Sequence, residues 1–174
     1  DWSSDVCSSD LDDIMGKEVK TNAMRMLDRQ KIPYELMNYE CEEFVDGMDV
    51  ADKLGQDYEM TFKTLVTLGK SGNYYVYAIP VHRELDMKKA ARAVGEKHVE
   101  MVSVKEINKV TGYIRGGCTP IGMKKQYTTV IHESAKQQDK IAVSGGRRGV
   151  QILLQPENLA KASGATFADI IKEE

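Results

Sequence analysis

The chain is poor in the residues from which several common functional sites are built. Its 174 residues include only three cysteines and three histidines. The cysteines form no C-x-x-C pair, and their odd number argues against a disulfide framework. The histidines (His82, His98 and His132) are scattered and form no H-x-x-x-H motif. We therefore expect neither a metal nor another cofactor.

Long apolar runs and a strong net charge are also missing. No apolar segment approaches the roughly 18 residues needed to cross a bilayer, and the N-terminus lacks the pattern of a secretory signal. We therefore expect a cytoplasmic protein with no membrane partner. Residues 1–20 hold six acidic residues and two lysines, so the net charge of −3 leaves +1 for the remainder. A body this close to neutral does not predict nucleic-acid binding, to DNA or otherwise, and any polyanion site has to be a local patch.

The first residues differ in character from the rest of the chain. Residues 1–11 show no helical or strand periodicity and contain four serines and the only tryptophan. They resemble translated adaptor sequence, so we interpret them as a non-native tail and residues 12–20 as a leader. Residues 21–174 are then expected to form one domain, which is long enough to bury a substantial core.

Periodicity and capping signals predict an α+β domain. The run Thr61–Leu68 alternates and is followed by a turn and by Tyr74–Pro80, which predicts a β-hairpin. Ser103 and Glu106 have the spacing of a capping box. Helices are predicted to begin near Thr21, Asp49, Asp86, Ser103 and Pro156. Further strands are predicted at residues 34–39, 99–102, 128–131, 140–143 and 150–154. Hairpins mixed with helical crossovers are typical of the α+β class.

Two glycine-rich stretches are candidate ligand-binding loops. Residues 112–122 contain four glycines, and residues 144–149 contain three. Glycine allows positive φ and close backbone approach, so such loops can direct N–H groups at an oxyanion or a phosphate. A tight turn between core strands is the alternative for either loop alone, but two such loops in one small domain favour a binding site. Nearby cations favour an anionic ligand: Lys124, Lys125, Arg147 and Arg148.

Two single residues could take part in chemistry. Lys63 interrupts an otherwise uncharged strand beside Leu65. This placement fits a lysine directed into a polar cavity or, alternatively, an edge-strand lysine that opposes aggregation. Cys118 lies in the first glycine-rich stretch, where oriented N–H groups could activate a thiol. No histidine is near Cys118 in sequence, so a small residue wedged into a turn is the commoner explanation.

Four ordered motifs give the chain a family resemblance. From about Thr21 to Asp169 it resembles the YbaK-type aminoacyl-tRNA deacylases, which are free-standing editing domains related to the insertion domain of bacterial prolyl-tRNA synthetase. The motifs that carry the resemblance are Phe62-Lys63-Thr64-Leu65, Glu84-Leu85-Asp86-Met87-Lys88-Lys89, the stretch from Thr111 to Gly122, and Val143-Ser144-Gly145-Gly146-Arg147-Arg148-Gly149.

The resemblance implies a fold, an activity and a set of site residues. The fold would have a mixed, partly barrel-like central sheet flanked by helices. The activity would be removal of cysteine from mischarged Cys-tRNA(Pro), with Cys-tRNA(Cys) as a further substrate, and Lys63 would be the essential lysine. The aminoacyl pocket would be lined by Tyr39, Thr64, Tyr113, Gly116, Gly117, Thr119, Ser144, Gly145 and Gly146. The tRNA would be contacted by Lys124, Lys125 and Arg147. Cys41 and Gln151 depart from the histidine and the acidic residue that many members carry.

The implied chemistry needs no nucleophile from the protein. The substrate's own thiol would attack the ester, which expels the tRNA and releases the cysteinyl group as a thiolactone. We expect backbone N–H groups of Gly116 and Gly117 to stabilise the oxyanion, and Lys63 to hold the terminal adenosine or its phosphate. Cys118 is then expected to be a bystander.

Two other functions stay open at this point. One is water-dependent hydrolysis of Ala-tRNA(Pro), and the other is non-catalytic binding of tRNA or prolyl-tRNA synthetase. The expected partners are the acceptor end of an aminoacylated tRNA and prolyl-tRNA synthetase.

Overall fold

The computed structural model describes residues 19–41 and 43–173. The expected tail and all of the leader except residues 19 and 20 therefore lie outside the described residues. The described chain forms the following elements in order: α1 (Asn22–Arg29), β1 (Glu35–Asn38), α2 (Gly47–Leu54), β2 (Phe62–Gly69), β3 (Tyr74–Pro80), α3 (Met87–Val94), β4 (Val99–Met101), α4 (Val104–Thr111), β5 (Thr128–His132), a 3-10 helix (Glu133–Gln137), β6 (Ile141–Ser144), β7 (Val150–Leu154), α5 (Pro156–Ser163) and β8 (Thr166–Ala168). None of the described helices is long and apolar enough to cross a membrane.

The strands form two sheets. One has five strands in the order β4-β2-β3-β5-β8, with an antiparallel β2–β3 hairpin and parallel pairing of β3, β5 and β8. The other is antiparallel, in the order β1-β7-β6. The sheets meet where Thr61 bridges Ala142, whose N–H donates to the Met60 carbonyl at 2.8 Å.

The α+β single-domain fold is thus confirmed, whereas the barrel-like character of the sheet is not. The described strands do not close into a barrel, because the contact between the two sheets is a single bridge rather than a continuous ladder of hydrogen bonds.

Helix caps follow the sequence signals at α1 and α3, whereas α2 begins at Gly47, two residues before the predicted start, with Asp46 as its cap. The Thr21 hydroxyl accepts a hydrogen bond from the Met24 N–H at 3.2 Å, and the Asp86 carboxylate accepts two from the first turn of α3. Each cap satisfies N–H groups that the helix leaves unpaired and contributes about 1 kcal/mol. Ser103 precedes α4 as predicted, but its side chain makes no capping hydrogen bond, so the predicted capping box is wrong. The Glu106 N–H donates instead to the Ser103 backbone carbonyl at 3.0 Å.

Two hydrophobic clusters cover opposite faces of the five-stranded sheet. One contains Phe62 and Ala78 with residues of α1, α5 and the three-stranded sheet. The other contains Tyr77 and Ile79 with residues of α3, and Leu65 packs against it. Successive side chains of a strand point to opposite faces, so the β2–β3 hairpin contributes to both clusters. This packing fixes the strand that carries Lys63 from both sides.

Candidate functional site

A cavity of about 480 Å³ lies where the two sheets meet. Its wall is made by β2, by the facing ends of β6 and β7, by the start of α2, by the connection from β4 to α4, and by the first glycine-rich loop. Such a volume falls within the range of small-ligand sites. Five of the residues that the sequence assigned to the site line this cavity: Tyr39, Lys63, Thr64, Gly116 and Ser144.

Lys63 brings an unpaired positive charge to the cavity wall. It lies on β2 opposite Ile79 and is partly buried. Its ammonium makes no hydrogen bond or ion pair with any residue between 19 and 173 that the structure describes. Burial lowers the pKa of Lys63 below that of a free lysine, and the more distant carboxylates of Glu84 and Asp46 oppose this shift. A ligand oxygen could therefore gain a charge-assisted hydrogen bond without displacing an internal partner.

Two buried oxygen atoms in the cavity wall also lack partners. The Thr64 hydroxyl and the Gln151 carboxamide oxygen make no hydrogen bond within the described chain. Gln151 is only 5% exposed and is the Cα partner of Ser144 in the β6–β7 pair. A buried polar atom left unpaired costs about 1–3 kcal/mol, so both atoms are suited to contact polar groups of a ligand. Sequence reasoning noted Gln151 only as a departure and did not place it in the site.

The two glycine-rich loops contact each other beside the cavity. A Cβ atom on Gly117 would lie 2.8 Å from the Cα of Arg147. Gly116 has a φ of +89°, and its Cβ would lie 3.1 Å from both the Arg148 Nε and the Phe44 ring. Both glycines therefore allow the two loops to pack closely. This packing places Gly116 and Ser144 in the wall of the same cavity.

The two expected oxyanion donors are not equivalent. Gly116 lines the cavity, and its N–H donates to no other described residue. Gly117 does not line the cavity, and its N–H donates to the Ile114 carbonyl at 2.9 Å. A ligand could use the Gly117 N–H only by breaking this turn. The geometry therefore favours Gly116 as the donor.

Four other predicted pocket residues lie behind the cavity wall: Tyr113, Thr119, Gly145 and Gly146. The buried Tyr113 hydroxyl donates to the Ile121 carbonyl at 2.6 Å. The Gly145 N–H donates to the Val150 carbonyl at 2.9 Å, and its own carbonyl accepts from the Thr21 hydroxyl at 2.6 Å. These hydrogen bonds make Tyr113 and Gly145 part of the internal structure of the two loops, and none of the four residues lines the cavity.

None of the three cations that the sequence assigned to tRNA binding lines the cavity. Lys124 and Lys125 do not line it, and the Lys124 ammonium donates to the Lys109 carbonyl at 3.2 Å. Arg147 donates to the Val19 carbonyl at 2.8 Å, outside the cavity. Arg115 does line it, a role that its place in the glycine-rich loop could have suggested.

Cys118 lines the cavity but is a poor nucleophile there. Burial raises the pKa of its thiol to about 12, so the sulfur stays protonated near neutral pH. No described histidine lines the cavity to act as its base. No group of three or more histidine, cysteine or acidic side chains within the described residues is arranged to hold a metal ion.

We expect Gly117→Ala to lower the free energy of unfolding by about 1–3 kcal/mol, because its methyl group would collide with the Arg147 backbone. Chemical denaturation measures this change. Ile114→Ala in the same loop is the control, since Ile114 is 48% exposed and its truncation should change stability by less than about 0.5 kcal/mol. Equal stability of Gly117→Ala and wild type would show that the two loops are not in contact.

Comparisons with known proteins agree on one family. Residues 42–162 match the profile described as "Aminoacyl-tRNA editing domain". A relative from Enterococcus faecalis, named "Putative Cys-tRNA(Pro)/Cys-tRNA(Cys) deacylase EbsC", is 46% identical over 156 residues, covering 89% of this chain and 95% of the relative.

Solved structures share the fold at lower identity. One, described as "a putative trans-editing enzyme for prolyl tRNA synthetase", has a TM-score of 0.78 and 21% identity, covering 90% of this chain and all of that chain. Another, the hypothetical protein APE2540, has a TM-score of 0.79 and 22% identity, covering 87% of this chain and 99% of that chain. At these identities the two structures show the fold alone.

Proposed function

The chain belongs to the aminoacyl-tRNA editing domain family, and on that premise we propose that it is a trans-editing deacylase that removes cysteine from mischarged Cys-tRNA(Pro). Cys-tRNA(Cys), which the name of the E. faecalis relative also includes, is the second substrate of the proposal. The observation that carries the proposal is a cavity whose described lining residues include a lysine without an internal partner but no activated nucleophile. Such a site suits a substrate that supplies its own nucleophile.

In the proposed reaction, the oxygen ester between cysteine and the ribose is replaced by an intramolecular thioester. The thiolate of the cysteinyl group attacks the carbonyl carbon of its own ester, so that a carbon–sulfur bond forms. The carbon–oxygen bond to the ribose then breaks, and the ribose oxygen takes up a proton. The products are a cysteine thiolactone and free tRNA, and water later opens the thiolactone to cysteine.

The residues of the cavity have distinct roles in this proposal. The Gly116 N–H stabilises the negative charge that develops on the carbonyl oxygen. Lys63 holds the terminal adenosine or its phosphate, and Tyr39 and Ser144 confine the aminoacyl group. The unpaired oxygens of Thr64 and Gln151 accept hydrogen bonds from the substrate amino group. Together these contacts hold the thiol close to the carbonyl carbon, which is the main requirement of an intramolecular attack.

We expect Cys118→Ser to retain most of the deacylase activity. The Cys118 thiol is protonated near neutral pH and has no histidine beside it, so the reaction does not depend on its sulfur. Single-turnover deacylation of Cys-tRNA(Pro) by wild type and variant measures the effect. Complete loss of activity in a folded Cys118→Ser protein would instead make Cys118 the nucleophile.

The proposed function is tested by deacylation of Cys-tRNA(Pro) and Ala-tRNA(Pro), side by side and corrected for spontaneous hydrolysis. Cleavage of the cysteinyl ester alone is the expected result. Cleavage of Ala-tRNA(Pro) would place the protein among water-dependent editing enzymes. Cleavage of neither, together with measurable binding of tRNA or prolyl-tRNA synthetase, would make it a binding module. The proposal places the enzyme in the cytoplasm, where prolyl-tRNA synthetase could deliver the mischarged tRNA.

A further inference from the structure

We propose that Arg115, Phe44 and Arg148 form a binding site for the phosphodiester backbone at the acceptor end of the tRNA. This inference rests on the proposed function. It adds a part of the site that the family motifs did not identify, and it replaces the lysines at 124 and 125 as the main phosphate contacts.

The three side chains form one cluster, in which Arg115 and Phe44 line the cavity and Arg148 packs beside them outside the lining. The Arg115 guanidinium carbon lies 4.0 Å from the centre of the Phe44 ring, and that of Arg148 lies 5.6 Å from it. The Arg148 Nε donates to the Arg115 carbonyl at 2.9 Å. Gly116 makes this cluster possible, because any side chain at this position would meet both Arg148 and Phe44.

The cluster concentrates positive charge that nothing in the described chain neutralises. Neither guanidinium makes an ion pair with a described carboxylate, although Asp46 also lines the cavity. Two like charges held against one ring repel each other, and an anion between them would relieve this repulsion. The planar guanidinium suits the two free oxygens of a phosphodiester, and stacking on Phe44 fixes its orientation in advance.

The position of the cluster matches the connectivity of an aminoacyl-tRNA. Arg115 and Phe44 line the same cavity as Lys63 and Gly116, and Arg115 directly precedes Gly116 in the chain. An aminoacyl group in the cavity is joined through a single ribose to the last phosphodiester of the tRNA. With that phosphate at the arginine cluster, the Lys63 ammonium is left for the ribose and ester end of the substrate.

The observations favour RNA over an acidic protein surface as the ligand. Arg115 is exposed, whereas Arg148 is partly buried behind it, so the cluster offers a narrow site rather than a broad patch. Residues 21–174 together carry a net charge of only +1, so the positive charge of this cluster is a local feature. A thin, single-stranded end can reach such a site beside a cavity more readily than a folded protein surface can.

The test uses the double variant Arg115→Gln/Arg148→Gln on two substrates. One is Cys-tRNA(Pro), and the other is 3′-cysteinyl-adenosine, which carries the same ester but no phosphate. We expect kcat/KM for the tRNA to fall by about tenfold, mainly through KM, with a much smaller fall for cysteinyl-adenosine. The slope of log(kcat/KM) for the tRNA against log[salt] should also become shallower, by about 0.7 for each phosphate that the variant no longer neutralises.

The matched control is Arg29→Gln/Arg92→Gln, which removes two exposed arginines that do not line the cavity. Thermal unfolding of both double variants verifies that they fold. If wild type cleaves neither substrate, the proposed function itself fails. If wild type is active, the inference is overturned by three results: a double variant indistinguishable from the control, equal losses on both substrates, or a loss that appears only when prolyl-tRNA synthetase is present. Equal losses would make the cluster a structural support, and the last result would make it a protein-binding site.

Discussion

Lys63→Ala is expected to lower kcat/KM for Cys-tRNA(Pro) by about 100- to 1000-fold. Loss of one donor to transition-state charge has an effect of this size, and we expect a similar effect from loss of the group that holds the terminal adenosine in the attacking pose. The Lys63 ammonium has no internal partner in the described structure, so its charge is fully available to the substrate. Single-turnover deacylation by wild type and variant measures the loss. Activity within a few-fold of wild type would remove Lys63 from the proposed mechanism.

Removal of the Lys63 charge should not destabilise the fold when the side-chain volume is kept. The Lys63 charge is desolvated without an ion-pair partner, so Lys63→Met, which keeps most of the side-chain volume, is expected to be at least as stable as wild type. Because the pKa of Lys63 is lowered, the unfolded chain binds more protons than the folded chain between that pKa and about 10.5. Wild-type stability should therefore gain from this residue as pH rises through that window, and Lys63→Met should lack this contribution. Lys70→Ala, at an exposed lysine outside the cavity, is the control for loss of one charge.

A tRNA(Pro) that carries serine instead of cysteine should be deacylated more slowly by a factor of about 1000 or greater. The two substrates differ only in the attacking atom, since serine replaces the thiol with a hydroxyl that is hardly ionised near neutral pH. Among the described residues that line the cavity, Cys118 is not a replacement nucleophile, because its thiol stays protonated. The rate with cysteine should rise with pH through the pKa of the substrate thiol, which is about 8.5 for an unperturbed cysteine.

Mass spectrometry of the early product distinguishes this route from direct hydrolysis. We expect cysteine thiolactone before free cysteine appears. Comparable rates for Ser-tRNA(Pro) and Cys-tRNA(Pro) would show that water is the nucleophile, even if Lys63 proved essential. The two predictions therefore test different parts of the mechanism.

Local patterns were enough to predict the elements and part of the site. Alternation along Thr61–Leu68 predicted the hairpin, and the same pattern set Lys63 apart as a charge in an uncharged strand. Both features depend only on residues that are close in sequence, so a local pattern is enough to predict them. The capping box at Ser103 was wrong, because the Glu106 N–H that the Ser103 side chain would cap is bonded to the Ser103 backbone carbonyl instead.

Contacts between distant segments were not predictable in the same way. Gly145 and Gly146 have the composition of a ligand-binding loop, but their conformation is decided by packing on Val150 and Thr21. Nothing in the sequence brings Phe44 to Arg115 and Arg148, and nothing shows that the Gln151 oxygen is left without a partner. These contacts depend on how segments that are distant in sequence pack together, and no local sequence pattern specifies that packing.

The cavity wall combines a hydrogen-bonded strand with a loop that lies outside the sheets. One side is β2, which pairs with β3 from Phe62 to Leu68 and adjoins both hydrophobic clusters. Another part of the wall is the first glycine-rich stretch, which contributes Arg115, Gly116 and Cys118 and lies outside the strands. Amide hydrogens in a strand of this kind exchange with solvent mainly through global unfolding, whereas loop amides exchange through smaller local openings. Substrate should therefore slow exchange in the loops at 112–122 and 144–149 far more than in the strand that carries Lys63.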